Sequence, residues 1–168
     1  MSEITNAYLL KELQEHFAAN IHSVSEPYGM LTLELDSNQI LVVLQFLNQH
    51  PQIQMQFLTD VCGIHYPDNK GKELGVIYHL HSLVNNVRLR IKCFTDINNP
   101  VVPSITSLYA AANWQERETF DFFGIVFEGH PNLKRILNAD EMDYFPMRKE
   151  YPLEDQTRTD KNDSYFGR

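Results

Sequence analysis

Cysteine is scarce in this sequence. Cys62 and Cys93 are the two thiols among 168 residues, and the sequence has no CxxC pair. A disulfide framework is therefore not expected. The chain also cannot hold an iron–sulfur cluster by itself, because such a cluster normally needs four thiolates. Both cysteines lie in apolar, strand-like stretches, which favours two buried structural thiols.

Positive charge and long hydrophobic runs are scarce as well. The net charge is −8, whereas a nucleic-acid-binding protein needs a basic surface. The longest apolar stretch, 40–47, is interrupted by Gln45 and is far shorter than the roughly 20 residues of a membrane-spanning helix. The first residues have neither the positive flank nor the apolar run of a signal peptide. We therefore expect a cytosolic chain that reaches a membrane only through a partner.

Glycine-rich phosphate and nucleophile motifs are missing too. The sequence contains no GxGxxG, no GxxxxGKS/T and no GxSxG pattern. Dinucleotide, triphosphate and serine-hydrolase sites therefore have no local support. We expect this chain to bind no cofactor of its own.

The first part of the chain, residues 1–106, is predicted to form a compact α+β domain. Apolar residues recur at helical spacing over 6–19 and again over 36–48, which predicts two amphipathic helices. Asp36 or Ser37 is placed to cap the second helix, because their side chains accept hydrogen bonds from a helix's first N–H groups.

Four segments with alternating or β-branched residues predict strands. The pair Asn85-Asn86 indicates a tight hairpin, since asparagine tolerates positive φ. The predicted order of elements is α-β-β-α-β-β-β, in which one of the two early strands has no assigned segment. This order predicts an antiparallel or mixed sheet of four to five strands. Two helices should cover one face of that sheet. The assigned strands are 31–35, 53–66, 73–83 and 87–95. The last is predicted to have an apolar face and a basic face, formed respectively by Val87, Leu89 and Ile91 and by Arg88, Arg90 and Lys92.

After residue 106 the chain changes character. The density of charged residues about doubles, and Pro131, Pro146 and Pro152 interrupt the rest. Residues 107–153, which we call the signature segment, are predicted to be an irregular, proline-punctuated extension with one short helix near 113–123. Interleaved charges at this density fit either a solvated surface or a polar partner interface. Residues 154–168 are expected to be a polar tail that is mobile in the isolated protein.

The short helix carries several charged residues at informative spacings. Asn113 is a candidate N-cap, and Glu116 follows at the spacing of a capping box. Gly124 is placed to end the helix in a left-handed conformation. Arg117 and Asp121 are four residues apart and can pair on the helix surface, although the order Arg before Asp is the weaker one.

Two alternative functions can be assigned to residues of these segments, an acid/base enzyme and a zinc-binding module. Glu116, Glu118 and His130 could serve a free-standing acid/base enzyme, although carboxylates on one short helix do not face each other across a cleft.

A zinc site is the other alternative. His79 and His81 point to one face of a strand, and His65 lies on the preceding strand. No fourth ligand is indicated, so packed histidines are the preferred interpretation.

A run of motifs in the second half resembles a known family. The matching stretches are Glu116-Arg117-Glu118, Asp121-Phe122-Phe123-Gly124-Ile125, Gly129-His130-Pro131, Leu133-Lys134-Arg135-Ile136-Leu137 and Pro146-Met147-Arg148-Lys149-Glu150-Tyr151-Pro152-Leu153. They resemble the signature of the C-type, or 30-kDa, subunit of proton-translocating NADH:quinone oxidoreductase, respiratory complex I.

The resemblance implies a non-catalytic structural subunit of the hydrophilic, quinone-reducing arm. The chain itself would hold no cofactor and would be inactive in isolation, while the complex would use FMN, iron–sulfur clusters and quinone. Its partners would be other subunits, chiefly those of the D and B types, at the cytoplasmic face of the cell membrane. An equivalent subunit of a membrane-bound hydrogenase-type complex is the alternative within this resemblance.

The resemblance also implies that the charges of the signature segment contact a partner. On that expectation, Arg117→Ala and Arg148→Ala would leave the melting temperature of the isolated chain nearly unchanged and lower the amount of assembled complex. The predicted partner-binding residues are Glu116, Arg117, Glu118, Asp121, Gly124, His130, Pro131, Arg135, Pro146, Arg148 and Lys149.

Overall fold

The computed structural model describes residues 4–151, so the predicted tail 154–168 lies outside the described residues. Within them, no helix has both the length and the apolar character of a membrane span. The elements of this part are α1 (Asn6–Phe17), β1 (Ile21–Ser25), β2 (Leu31–Asp36), α2 (Ile40–Gln49), β3 (Phe57–His65), β4 (Leu74–Ser82), β5 (Val87–Thr95), β6 (Val101–Pro103), α3 (Ala112–Phe123) and β7 (Val126–Glu128).

Five strands form a mixed sheet in the order β1-β2-β5-β4-β3. β2 and β5 are parallel, and the other neighbouring pairs are antiparallel. β6 and β7 form a short parallel pair beside it. The hairpin between β4 and β5 turns at Asn86, whose φ is +53°. The α+β class, the mixed sheet and the asparagine hairpin are therefore confirmed.

One face of the sheet is apolar because alternate residues of its strands point the same way. Leu33, Ile91 and Tyr78 lie next to each other across β2, β5 and β4, and all three are buried. Helices α1 and α2 add their apolar sides to the same core, which confirms two helices on one face. The residues of α1 and α2 with no exposed surface are Leu9, Leu13, Ile40, Val43, Leu44 and Leu47.

The opposite face of the sheet is polar. Arg90, His79 and Asp60 lie side by side across β5, β4 and β3, and Arg90 Nε donates to His79 Nε2 at 2.9 Å. Burial, together with the Arg90 charge, lowers the pKa of His79 below its ordinary value. The predicted alternation along β5, apolar on one side and basic on the other, is confirmed.

The predicted strand 53–66 begins later than expected, at Phe57. Ile53 and Met55 are fully buried, but the chain between them turns at Gln54, whose φ is +49°. The amide of Met55 donates to the Leu47 carbonyl at 2.9 Å instead of joining the sheet. Buried residues outside a sheet give the same apolar sequence pattern as a buried strand. The predicted strand therefore began too early, at residue 53.

The predicted capping of α2 by Asp36 or Ser37 was wrong. α2 begins at Ile40, after a 3₁₀ turn, and neither side chain caps it. Asp36 Oδ1 instead lies 2.7 Å from His22 Nε2. His22 belongs to β1, the early strand that the sequence pattern does not reveal because most of its residues are exposed.

Helix α3 packs along β3, one of the two edge strands of the sheet. Thr119 Oγ1 donates to the carbonyl of Val61 at 3.5 Å, and a side chain at Gly63 would overlap the Phe123 ring. The contact covers an edge that would otherwise expose unpaired backbone groups. Residues after position 106 also join the main core, among them Tyr109 and Phe127.

Candidate functional site

The signature segment folds around one buried carboxylate, that of Asp121 on α3. Its Oδ2 accepts hydrogen bonds from the backbone amides of Ile136, Leu137 and Asn138 at 2.8–3.0 Å. Its Oδ1 accepts from Arg135 Nη1 at 2.7 Å and from the Asn138 side chain at 3.0 Å. We call these five residues the Asp121 network.

The network sets the charge state of Asp121. Burial by itself raises the pKa of this carboxyl group, but the three amides and the Arg135 guanidinium more than offset that effect. The pKa of Asp121 therefore lies well below its ordinary value, and the group is ionised at neutral pH. With every lone-pair direction occupied, the carboxylate is a structural anchor and a poor proton acceptor.

Arg135 ties the network to more distant parts of the segment. Its Nη2 donates to the carbonyls of Met142 and Tyr144 at 2.7 and 3.1 Å. Its guanidinium also lies 5.2 Å from the centre of the Phe145 ring. One side chain therefore fixes a stretch of backbone that has no helix or strand of its own.

Arg117 acts in the same way from the preceding turn of α3. It is 7% exposed and donates to the carbonyls of Lys134 and Arg135 at 3.2 and 3.1 Å. Its guanidinium stacks 5.2 Å from the centre of the Trp114 ring. Trp114 remains 63% exposed.

The end of α3 is closed by residues from far along the chain. Gly124 has φ +73° and donates to the Phe120 carbonyl, which confirms the predicted left-handed cap. Arg148 Nε donates to the Phe123 carbonyl at 2.7 Å, an orphan acceptor of the helix terminus. A side chain at Gly124 would overlap both the Phe145 ring and the Arg148 guanidinium, so glycine is required here for space as well as for conformation.

Glu116 is buried on the other side of α3. Its carboxylate accepts from Ser104 Oγ and from the Ile105 amide, each at 2.7 Å. Burial raises the pKa of Glu116 to about 7, although these two hydrogen bonds partly oppose the shift. The side chain joins the loop after β6 to the helix.

The remaining predicted residues lie at the surface or only partly below it. His130 Nε2 is 3.0 Å from the Asn113 carbonyl oxygen. Pro131, Lys149 and Glu118 are exposed. The backbone amide of Lys149 donates to Nδ1 of the buried His65 at 2.9 Å.

Two predictions about the helix were wrong. α3 begins at Ala112 with no side-chain cap, so Asn113 is not its N-cap, and Glu116 binds Ser104 and Ile105 instead of completing a capping box. Arg117 and Asp121 do not pair, since each finds partners in the segment that follows the helix. Local spacing favoured both contacts, but tertiary contacts gave each charge a buried partner with better geometry.

The two alternative sites are not assembled by the fold. Glu116 is fully buried whereas Glu118 is exposed, so the carboxylates of the hypothetical acid/base site face different surroundings.

For zinc, the register of β3 and β4 places His65 opposite Leu74 on the apolar face and His79 on the polar face. No group of three or more potential ligands occurs within residues 4–151.

Several residues of the site were not identified from the sequence. Ser104, Asn138 and Phe145 each contact one of the signature charges. Asn138 lies next to a matching motif, a position that could have drawn attention to it. No sequence pattern signals Ser104, because its partner is reached only through the fold.

Comparisons with known proteins agree with this architecture. Residues 33–157 match the family model described as respiratory-chain NADH dehydrogenase, 30 Kd subunit. The chain is 42% identical over 125 residues to the C-type subunit of NADH-quinone oxidoreductase from Streptomyces coelicolor, covering 74% of this chain and 50% of that protein. It is 40% identical to the second C-type subunit of Rhizobium etli, covering 84% and 74%.

Solved structures extend the comparison. A trypsin-resistant fragment of Nqo5 superposes with a TM-score of 0.65 at 30% identity, over 74% of this chain and 98% of the fragment. A chain of an archaeal membrane-bound sulfane sulfur reductase gives a TM-score of 0.71 over 88% and 85%. At 21% identity this second likeness concerns the fold alone.

The chain spans half the length of the Streptomyces relative. On the family match over 33–157, which contains most of β2, all of β3–β7 and the whole Asp121 network, the chain belongs to the respiratory-chain NADH dehydrogenase 30-kDa subunit family.

Proposed function

We propose that this chain is a non-catalytic structural subunit of the hydrophilic, quinone-reducing arm of a proton-translocating NADH:quinone oxidoreductase. The observation that carries the proposal is the family match, which includes every charged residue of the signature segment. In this role the chain supports electron transfer from NADH through FMN and iron–sulfur clusters to quinone, all held by other subunits. The isolated chain is inactive.

The chemistry of the signature charges supports a structural role. Asp121 has a depressed pKa and five hydrogen-bond donors around it. Arg117, Arg135 and Arg148 donate to backbone carbonyls of the same chain. Groups committed in this way hold a shape and are not free to move protons or bind a substrate.

A preformed shape is useful to an assembly subunit. Ordering an irregular segment at the moment of binding reduces affinity, and ordering it beforehand removes that cost. The Asp121 network orders residues 135–138, and Arg135 and Arg148 extend that order to Tyr144 and Arg148. We propose that this preorganised surface is presented to subunits of the D and B types at the cytoplasmic face of the membrane.

The test uses the native host with its own copy of the gene replaced by a tagged full-length chain. Affinity purification from solubilised membranes should recover NADH:quinone reductase activity together with flavin and iron–sulfur absorbance. The same chain purified alone should show neither absorbance nor turnover. Turnover by the isolated chain would overturn the proposal, and recovery of an assembly that does not oxidise NADH would favour the hydrogenase-type alternative.

A further inference from the structure

A cleft of about 230 Å³ lies along the seam between edge strand β3 and helix α3. Apolar side chains form much of its walls, chiefly Phe122, Phe123 and Met147, and Cys62 also lines it. The volume is below the roughly 300–1,000 Å³ of sites that bury a small-molecule ligand or cofactor. It suits a single side chain from another polypeptide.

Two carboxylates stand at this cleft, Asp60 from β3 and Glu118 from α3. Glu118 is exposed, and its carboxylate has no hydrogen-bond or ion-pair partner among residues 4–151. The Asp60 side chain is 49% exposed, and the nearest basic group is His79 Nδ1 at 3.7 Å. Because burial and Arg90 lower the pKa of His79, a neutral ring faces Asp60. The Arg90 guanidinium donates to the far side of that ring, at His79 Nε2, and forms no ion pair with Asp60.

Cys62 lies close to both carboxylates. Burial is the main reason that the pKa of its thiol is raised to about 11, with smaller contributions from Asp60 and Glu118 that the Arg90 charge partly offsets. An apolar cleft lined by two carboxylates, neither of which is paired with an arginine or lysine within residues 4–151, matches a long side chain with an apolar stem and a cationic head.

We propose that the Cys62 cleft receives an arginine side chain of a neighbouring subunit, an inference that rests on the proposed function. A guanidinium is planar, is less strongly hydrated than an ammonium group and stacks on aromatic rings such as Phe122 and Phe123. It carries five N–H donors in one plane, enough to serve more than one carboxylate. The contact would fix the seam between sheet and helix against the partner.

Cys62 provides a footprint of this contact without any mutation. The full-length isolated chain and the purified native complex are treated with N-ethylmaleimide at the same mildly alkaline pH, and the labelled peptides are quantified by mass spectrometry. Cys93 is the internal control, since it has no exposed surface. Because the raised pKa leaves Cys62 little thiolate, we expect it to react slowly in the isolated chain, but faster than Cys93. In the complex it should react at least about tenfold more slowly still, because the occupied cleft shields the thiol.

Equal labelling of Cys62 in the two samples would overturn the inference. Labelling of Cys62 in the isolated chain no faster than that of the fully buried Cys93 would overturn it as well, because the cleft would then be closed. Failure of the chain to co-purify with any complex would contradict the proposed function instead. The two failures are therefore distinguishable.

A pair of variants tests the charge of the occupant. Glu118→Gln and Asp60→Asn keep the shape and remove one negative charge each, while Glu15→Gln removes an exposed charge on α1 as the matched control. We expect the cleft variants to leave the complex about tenfold faster in a salt wash, because one partner of a desolvated charge pair is lost. The melting temperature of each isolated variant should be unchanged. Protection of Cys62 together with control-like dissociation of both variants would show an apolar occupant and contradict the arginine proposal.

Discussion

The sheet and the segment after α3 become ordered through different interactions. The sheet has an apolar face on which α1 and α2 bury side chains with no exposed surface. Residues 129–151 contain neither helix nor strand, and few of their side chains are buried. Their order comes from backbone groups that bond to Asp121, Arg117, Arg135 and Arg148. Apolar burial is spread over many residues, whereas the polar network depends on a few charged ones.

Asp121→Asn should be the most damaging single change. The substitution leaves Arg135, whose side chain is 11% exposed, without its counter-charge and turns an amide donor toward three backbone N–H groups. We expect a loss of about 3–5 kcal/mol in the free energy of unfolding of the isolated chain, measured by urea denaturation. Asp143→Asn, an exposed change in the same segment, is the control. A loss as small as that of the control would show that the network is not formed in the isolated chain.

Breaking the other region should be nearly as costly but different in character. Leu44→Ala removes a fully buried side chain of α2 and should lower the free energy of unfolding by about 3 kcal/mol. Loss of the Leu44 side chain should destabilise the whole sheet, whereas Asp121→Asn should first unfold residues 129–151 locally. Val42→Ala, at a position 51% exposed on the same helix, should change little. Hydrogen exchange read by mass spectrometry distinguishes a local from a global loss, and identical exchange patterns for the two variants would remove the distinction drawn between the regions.

Ionisation of Glu116 should make the free energy of unfolding depend on pH. Its pKa is about 7 in the folded chain against 4.5 ordinarily, so the folded state retains a proton that the unfolded state releases between these values. Stability should therefore fall by about 2–3 kcal/mol as the pH rises from about 4.5 to about 7 and then level off. Glu116→Gln can keep both hydrogen bonds and cannot ionise, so its unfolding free energy should lack this component. Parallel curves for the two proteins would contradict the assignment.

A milder loss is expected from Arg148→Ala. The change removes the donor to the last helical carbonyl of α3 and the stacking on Phe145, 4.7 Å from its ring centre. We expect a loss of about 1.5 kcal/mol and a lower melting temperature by calorimetry. Lys149→Ala, the exposed neighbour, should have no measurable effect. The contacts of Arg148 within its own chain thus lead to a different expectation from the resemblance, under which Arg148 acts in assembly alone, and an unchanged melting temperature would favour the latter.

The two regions also differ in how well they could be predicted from the sequence. β5 was predicted with its bounds and with both faces, because its alternation directly encodes burial. α1 was predicted to within two residues of its last residue for the same reason. β1 was not assigned, since a mostly exposed edge strand has no apolar alternation to detect.

The contacts of the signature charges could not be predicted from spacing. Asp121 binds a guanidinium and amides 14 to 17 residues away, across a stretch with no periodic pattern. The resemblance assigned these charges to a contact with a partner subunit. The fold shows that most of them bind their own chain. Which surface meets which neighbour remains a proposal, as does the placement of Lys149, Pro131 and Pro146 in a partner contact.

Whether the signature segment is ordered by its own chain can be decided by amide hydrogen exchange at Ile136, Leu137 and Asn138 in the isolated full-length chain. These three amides donate to Asp121 at 2.8–3.0 Å, so we expect clear protection in the absence of any other subunit. Asp121→Asn should abolish that protection. Exchange at the rate of an unstructured peptide in the isolated wild-type chain, with protection appearing only in the assembled complex, would show instead that this segment is ordered by its partners.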